Sequence, residues 1–233
     1  MKNKSITLKV IIIVLFSYLL LTSQAHDRMA QQKAELIRLL EQKYSITDRN
    51  IIRALQTADR GDFIPEDLKG FAYIDISLPI DSANVMLSYS DLVKVITSIP
   101  QGARRGNVLV IGRNSAFSAA TLSFLYNRVF LIESNIASRN RVEVILREKY
   151  SNINFVFTDD FTHFNANAPF DLIFINGSIN EFSRSYIDLL NQNGIVIFAL
   201  SDRYGLGTLH KATRTGPTYS ITSLGEVMFP ALN

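Results

Sequence analysis

The chain has 233 residues, of which 47% are hydrophobic and 19% are charged. These fractions are typical of one folded domain with a sizeable core, and they exclude a wholly disordered chain. Three of the 24 basic residues, Lys2, Lys4 and Lys9, lie within residues 1–25, which contain no acid. The rest of the chain has 21 basic residues against 21 acidic ones. Because this part is neutral overall, we expect no nucleic-acid partner.

Cysteine and histidine usage limits the kinds of site that are possible. The absence of cysteine excludes disulfides, thiolate metal ligands and cysteine nucleophiles. His26, His163 and His210 lie far apart, without the spacing of a metal site. We therefore predict no bound metal.

Residues 1–25 have the pattern of an export signal. The lysines precede an apolar run from Val10 to Leu21, and small residues stand at Ser23 and Ala25, the positions that a signal peptidase reads. The run is short for a membrane-spanning helix of about 20 residues, but if uncleaved it could act as an anchor. We predict an exported or inner-membrane-anchored protein with membrane contact through residues 1–25. The alternative is a cytoplasmic protein whose translation starts at Met29.

Helical spacing dominates residues 26–100. It predicts helices over residues 30–43 and 90–99, and a helix from about Arg49 to Thr57 that Asp48 can cap. Segments interrupted by proline lie between the helix that ends near Thr57 and the helix over residues 90–99.

Short apolar runs alternate with helical segments from residue 107 onward. The runs cover residues 107–111, 128–132, 153–157, 171–176 and 194–200, and the helices cover residues 118–125, 137–149 and 182–191. This alternation predicts a parallel sheet covered on both faces. Residues 208–213 and 219–229, on either side of Gly216-Pro217, predict an antiparallel pair at the sheet edge.

Ligands of such sheets bind at the carboxyl ends of the strands. The residues predicted at those ends are Gly112 to Phe117, Glu133, Asp159-Asp160 and Asn176-Gly177. Glu133 follows Gly112 by 21 positions, close to the spacing of the acid that holds a nucleotide ribose. Glu133 could equally be a solvated acid that caps the next helix. The loop after Gly112 could likewise be a cofactor cradle or a simple turn.

A series of short motifs runs in a fixed order from about Ile46 to the last residue. The first are Arg53-Ala54-Leu55, Arg60-Gly61-Asp62-Phe63-Ile64-Pro65-Glu66, Ala72-Tyr73, Leu78-Pro79-Ile80 and Leu87-Ser88. The later ones are Val108 to Gly112, Ser118-Ala119-Ala120, Val129 to Glu133, Thr158-Asp159, Ala168 to Ile173 and Glu226 to Pro230. In number and order this series resembles the motifs of the protein-L-isoaspartate O-methyltransferases.

The resemblance implies an α/β architecture, the Rossmann-like seven-stranded S-adenosylmethionine methyltransferase fold, with a mostly parallel sheet and an antiparallel C-terminal edge pair. It implies methyl transfer from S-adenosylmethionine to the carboxyl group of L-isoaspartyl residues in damaged proteins, a step of protein repair. The partners would be isoaspartyl-containing proteins or peptides, and we expect a monomer. Residues 26–100 would form the substrate-side segment, and residues 101–233 the methyltransferase-like core.

Individual cofactor contacts also follow from the resemblance. Glu133 would hold the ribose, and Asp159 the adenine amino group. Gly112 and Ser115 would line the methionyl portion, while Arg113 could pair with its carboxylate.

Ser88 is the catalytic candidate, because it falls in the stretch that lies near the substrate in this family. An isoaspartyl carboxylate, with a pKa of about 4, is already ionised at neutral pH and needs no general base. The enzyme must instead align the reactants and exclude water. Ser88 would stand near the transferred methyl group and the substrate carboxylate.

The sequence departs from the family pattern at several positions around the site. The changed positions are Met86, Tyr89, Ser90, Val110, Asn114, Ala116, Asn176, Gly177 and Met228. Asn114 and Ala116 replace loop glycines, so their side chains obstruct the approach of a cofactor to the backbone. Export would also separate the protein from a cofactor made in the cytoplasm. A second interpretation is therefore a non-catalytic exported descendant that acts as a binding or envelope protein.

Overall fold

The structure is a computed structural model that describes residues 24, 27–81, 85–201 and 207–232. The apolar run from Val10 to Leu21 lies outside the described residues. Within the described ranges, no helix is both long enough and apolar enough to cross a membrane.

The N-terminal part is helical, as predicted. It contains helix α1 (residues 27–43), α2 (Arg49–Thr57) and α3 (Tyr89–Ser98), two 3-10 turns (Arg60–Phe63 and Glu66–Phe71) and a two-stranded pair, β1 (Leu78–Pro79) with β2 (Val85–Met86). Asp48 caps α2, since its side chain accepts the Asn50 amide at 2.9 Å. This confirms both the predicted cap and the predicted bounds of that helix.

The C-terminal part is a seven-stranded sheet. Its strands are β3 (Asn107–Gly112), β4 (Arg128–Glu133), β5 (Ile153–Phe157), β6 (Phe170–Ile179), β7 (Leu190–Ser201), β8 (Gly207–Thr215) and β9 (Thr218–Val227). They lie in the order β5-β4-β3-β6-β7-β8-β9. The first five are parallel, while β8 runs antiparallel to both β7 and β9. The predicted α/β fold, with its antiparallel C-terminal pair, is confirmed.

Apolar residues cover both faces of the sheet, which is why its central strands read as continuous apolar runs. On β3, Val108 and Val110 belong to one hydrophobic cluster, and Leu109 and Ile111 belong to the cluster on the other face. Three further helices connect the strands: α4 (Ala116–Leu122), α5 (Arg139–Lys149) and α6 (Ser185–Asp188).

One predicted helix is mostly wrong. The apolar pattern over residues 182–191 predicted a helix of three turns, but α6 has only four residues. Strand β7 begins at Leu190, which pairs with Phe170 on β6. The last residues of this segment therefore form a strand, although their local sequence favours a helix. Pairing with β6 outweighs that weak local preference.

Candidate functional site

The strand register brings three of the predicted site segments together. Gly112, the last residue of β3, pairs with Glu133 on β4 and with Asn176 on β6. The carboxyl ends of these strands therefore meet at one edge of the sheet. Asp159 follows the end of neighbouring β5 by two residues and is exposed.

Gly112 is required by a close approach of two backbones. A Cβ atom at this position would lie 2.5 Å from the carbonyl oxygen of Asn176 and 3.0 Å from its Cβ. Both residues are in central strands that cannot separate without breaking the sheet. The close packing of β3 against β6 therefore accounts for a glycine at this position.

The loop after Gly112 turns its backbone amides toward Glu133. Asn114 has a φ of 49°, in the left-handed region that a glycine would occupy easily and that asparagine tolerates. With this turn, the amides of Asn114 and Ser115 each donate to the Glu133 carboxylate at 2.8 Å. Asn114 therefore keeps the backbone shape expected of a glycine while adding a side chain.

Glu133 is completely buried and is bonded only to other residues of the described chain. Besides the two loop amides, its carboxylate accepts the Asn135 amide at 2.9 Å and the Ser115 hydroxyl at 3.1 Å. Burial raises the pKa of Glu133 to about 7, although these four hydrogen bonds favour the ionised form. The alternative of a solvated strand-end acid is excluded, because no part of this residue reaches solvent.

Two asparagines complete the closed arrangement. Asn135 donates from its side chain to the side-chain oxygen of Asn114 at 2.9 Å. Asn176 accepts from the Ser118 hydroxyl at 2.8 Å and donates to the Arg113 carbonyl at 3.3 Å. The side chain of Asn176 thus lies between the loop and α4, at the junction where β3 and β6 adjoin.

Asn135 was not among the residues predicted from sequence. The available signal was its position two residues after Glu133, in a polar strand end where a side chain can turn back on the preceding loop. Its partner, Asn114, comes from a loop 21 positions earlier. Sequence spacing alone cannot match two such side chains.

Ser88 serves as the N-cap of α3. Its hydroxyl accepts the Asp91 amide at 3.0 Å and donates to the Asp91 carboxylate at 2.9 Å. The next residue, Tyr89, sets its ring edge-on to Phe117 of α4 at a centroid distance of 5.2 Å. The predicted catalytic serine is therefore attached, through its neighbour, to the helix that follows the Gly112 loop.

A buried arginine, not predicted as a site residue, holds the segment before Ser88. Arg60 is fully buried and donates to the carbonyls of Ile74, Ile76 and Met86 at 3.0 to 3.4 Å. Its guanidinium also lies 5.5 Å from the centre of the Tyr89 ring. The position of Ser88 thus depends on a residue 28 places earlier, within the Arg60–Phe63 turn.

Two of the larger cavities in the described structure lie at the opposite edge of the sheet. One of 540 Å³ contacts Gln101, Gly102, Arg104 and Arg105, which precede β3, and one of 470 Å³ contacts Asp171 near the start of β6. Neither includes a predicted site residue. Over the described residues, no group of three or more His, Asp or Glu side chains could hold a metal ion.

Comparison with known proteins identifies the family. The family model described as protein-L-isoaspartate(D-aspartate) O-methyltransferase (PCMT) matches residues 31–233. The chain belongs to this family. A protein-L-isoaspartate O-methyltransferase from Ignicoccus hospitalis is 28% identical over 209 residues, which cover 88% of this chain and 98% of that protein. Another from Myxococcus xanthus is 29% identical over 192 residues, covering 80% and 90%.

Solved structures share the fold. One assigned as a protein-L-isoaspartate O-methyltransferase, from Plasmodium falciparum in complex with S-adenosyl-L-homocysteine, has a TM-score of 0.72 at 18% identity and covers 86% of this chain and 98% of that chain. A second protein-L-isoaspartate O-methyltransferase has a TM-score of 0.75 at 20% identity, covering 86% and 66%. At these identities the likeness concerns the architecture.

The arrangement of Glu133 does not fit the ribose contact that the family resemblance implies. Three backbone amides of the chain itself donate to the Glu133 carboxylate, and the single Ser115 hydroxyl proton lies within reach of both this carboxylate and the Gly112 carbonyl. Because Glu133 is wholly buried, ribose hydroxyls could reach it only by displacing part of this hydrogen-bonded shell. Asp159, by contrast, is exposed and can be reached from solvent.

Proposed function

We propose that this protein is a protein-L-isoaspartate O-methyltransferase that takes its methyl group from S-adenosylmethionine. The observation that carries the proposal is the family match over residues 31–233, which includes all seven strands of the sheet. The partners are proteins or peptides that contain L-isoaspartyl residues, and the protein acts as a monomer.

The chain's part in this reaction is positioning. An isoaspartyl carboxylate with a pKa of about 4 is ionised at neutral pH, so no residue has to remove a proton from it. What the protein must supply is alignment and exclusion of water. Ser88 is proposed as the residue near the acceptor, because it is only 6% exposed and is fixed at the start of α3 by Asp91.

Activity on matched peptides tests the proposal. We expect the purified chain from residue 26 onward to methylate an L-isoaspartyl peptide and to leave the corresponding L-aspartyl peptide unmodified. Calorimetric titration should show S-adenosylmethionine and S-adenosylhomocysteine binding with a Kd below about 1 mM, a binding free energy of roughly −4 kcal/mol or stronger. Absence of both binding and methylation would contradict the proposal.

One observation favours a second candidate, the non-catalytic binding or envelope protein. Three backbone amides of the chain itself donate to the buried Glu133 carboxylate, which leaves less of it for a cofactor ribose. The same titration decides between the two candidates. Normal folding, shown by circular dichroism, without any cofactor binding would favour the second.

We also propose that the protein is exported or held at the inner membrane by residues 1–25. The support is the sequence of this segment, in which lysines precede an apolar run and small residues. Fractionation of cells carrying a C-terminal epitope should place the full-length product outside the cytoplasm or in the membrane fraction. A variant that starts at Met29 is the matched control and should stay in the cytoplasm. An identical soluble distribution for both would refute export.

A further inference from the structure

Both carboxylate oxygens of Glu133 accept hydrogen bonds from the chain. One oxygen accepts the amides of Asn114 and Asn135, and the other accepts the amide and the hydroxyl of Ser115. The residue is wholly buried. Because removal of a buried acceptor leaves its donors unpaired, these bonds hold the loop to the end of β4.

Further side-chain hydrogen bonds surround Glu133 and Gly112 at this edge of the sheet. The Asn135 side chain bonds to that of Asn114 directly beside the carboxylate. On the other side of Gly112, Asn176 bonds to Ser118 of α4 and to the Arg113 carbonyl. The loop is therefore attached to β4 through Glu133 and to β6 through Asn176, with Gly112 between them.

The C-terminal segment adds a contact at the end of β6. The Ser178 amide donates to the Pro230 carbonyl at 2.8 Å, and the Leu232 amide donates to the Ser178 carbonyl at 3.0 Å. A Cβ atom at Gly177 would come within 3.2 Å of Pro230 and Leu232. This segment limits outward movement of β6 beyond Asn176.

We infer that Glu133 in this chain is a structural clamp that fixes the Gly112–Ala116 loop, and is not a ligand of a cofactor ribose. The buried carboxylate accepts three backbone amides, two from the loop and one from the strand end, and the Ser115 hydroxyl lies 3.1 Å from it. Asp159, the other acid carried over from the family, is exposed at its strand end. The two acids at this edge thus have different roles: Glu133 stabilises the fold, and Asp159 faces solvent.

The experiment compares Glu133→Gln with Asp159→Asn, each of which replaces a carboxyl at this edge by an amide of the same size. We expect Glu133→Gln to lower Tm by about 5 °C or more and Asp159→Asn to change it by less than about 1 °C. Hydrogen exchange of the Asn114, Ser115 and Asn135 amides should accelerate at least about tenfold in Glu133→Gln alone. Loss of a ribose ligand alone would instead weaken the affinity for S-adenosylhomocysteine about tenfold or more while leaving Tm and these exchange rates unchanged.

The outcomes separate the clamp from the proposed methyltransferase function. A tenfold loss of affinity in Glu133→Gln, with unchanged Tm and amide exchange, would overturn the clamp and leave the enzyme proposal intact. If the unmodified protein binds no S-adenosylhomocysteine, the enzyme proposal fails, while Tm and amide exchange still decide the clamp. Should Glu133→Gln not fold, Glu133→Asp provides the same measurements, because it keeps the charge but shortens the reach by one methylene. Unchanged exchange at the three amides in Glu133→Asp would also overturn the clamp.

Discussion

Replacement of Gly112 by alanine is expected to lower the free energy of unfolding by about 3 kcal/mol, at the upper end of the usual range for overpacking. The added Cβ would lie 2.5 Å from the Asn176 carbonyl oxygen, and that atom belongs to a neighbouring central strand. Backbone in the middle of a sheet cannot move aside as the end of a flexible side chain can. The measurement is chemical denaturation followed by circular dichroism.

Gly70→Ala is the matched control for that substitution. Gly70 lies in the exposed Glu66–Phe71 turn, and an added Cβ there would meet no atom within 4 Å. We expect a change of less than about 0.5 kcal/mol, as for most surface substitutions. Equal stabilities of the two variants would show that β3 and β6 are not as close at Gly112 as the structure has them.

The second large effect is a dependence of stability on pH that comes from Glu133. Burial raises the pKa of this carboxyl from 4.5 to about 7 in the folded protein. A pKa that is higher in the folded state means that folding favours the protonated form. The stability linked to this group is therefore complete below about pH 4.5 and is lost as the pH rises to about 7. At about 1.4 kcal/mol per pKa unit, the loss is about 3 kcal/mol.

Glu133→Gln isolates this contribution, because it removes the titrating group and leaves every other acid and base in place. Urea denaturation of both proteins between pH 4.5 and 7.5 should show the stability advantage of the unmodified protein shrinking by about 3 kcal/mol as the pH rises. A difference that stays constant across this range would mean that the pKa of Glu133 is the same in the folded and unfolded chain.

The sequence by itself determined the architecture. The apolar runs ending at Gly112 and near Glu133 predicted strands of a parallel sheet, and the structure places them side by side with these two residues paired. The Asp48 cap predicted where α2 begins. These features depend on neighbours along the chain, on alternation and on caps, which are local properties that a sequence records directly.

Only the tertiary structure decided what the residues of the site do. Motif position assigned Glu133 to a cofactor, but burial and the donors brought to it by Asn114, Ser115 and Asn135 make it an internal acceptor. The sequence before Leu190 predicts a longer helix, but the pairing of β7 with β6 shortens it. The contacts from Asn114 and Ser115 to Glu133, and from Phe170 to Leu190, join residues 18 to 20 positions apart. Their energies depend on burial and hydrogen-bond geometry, which the order of residues does not specify.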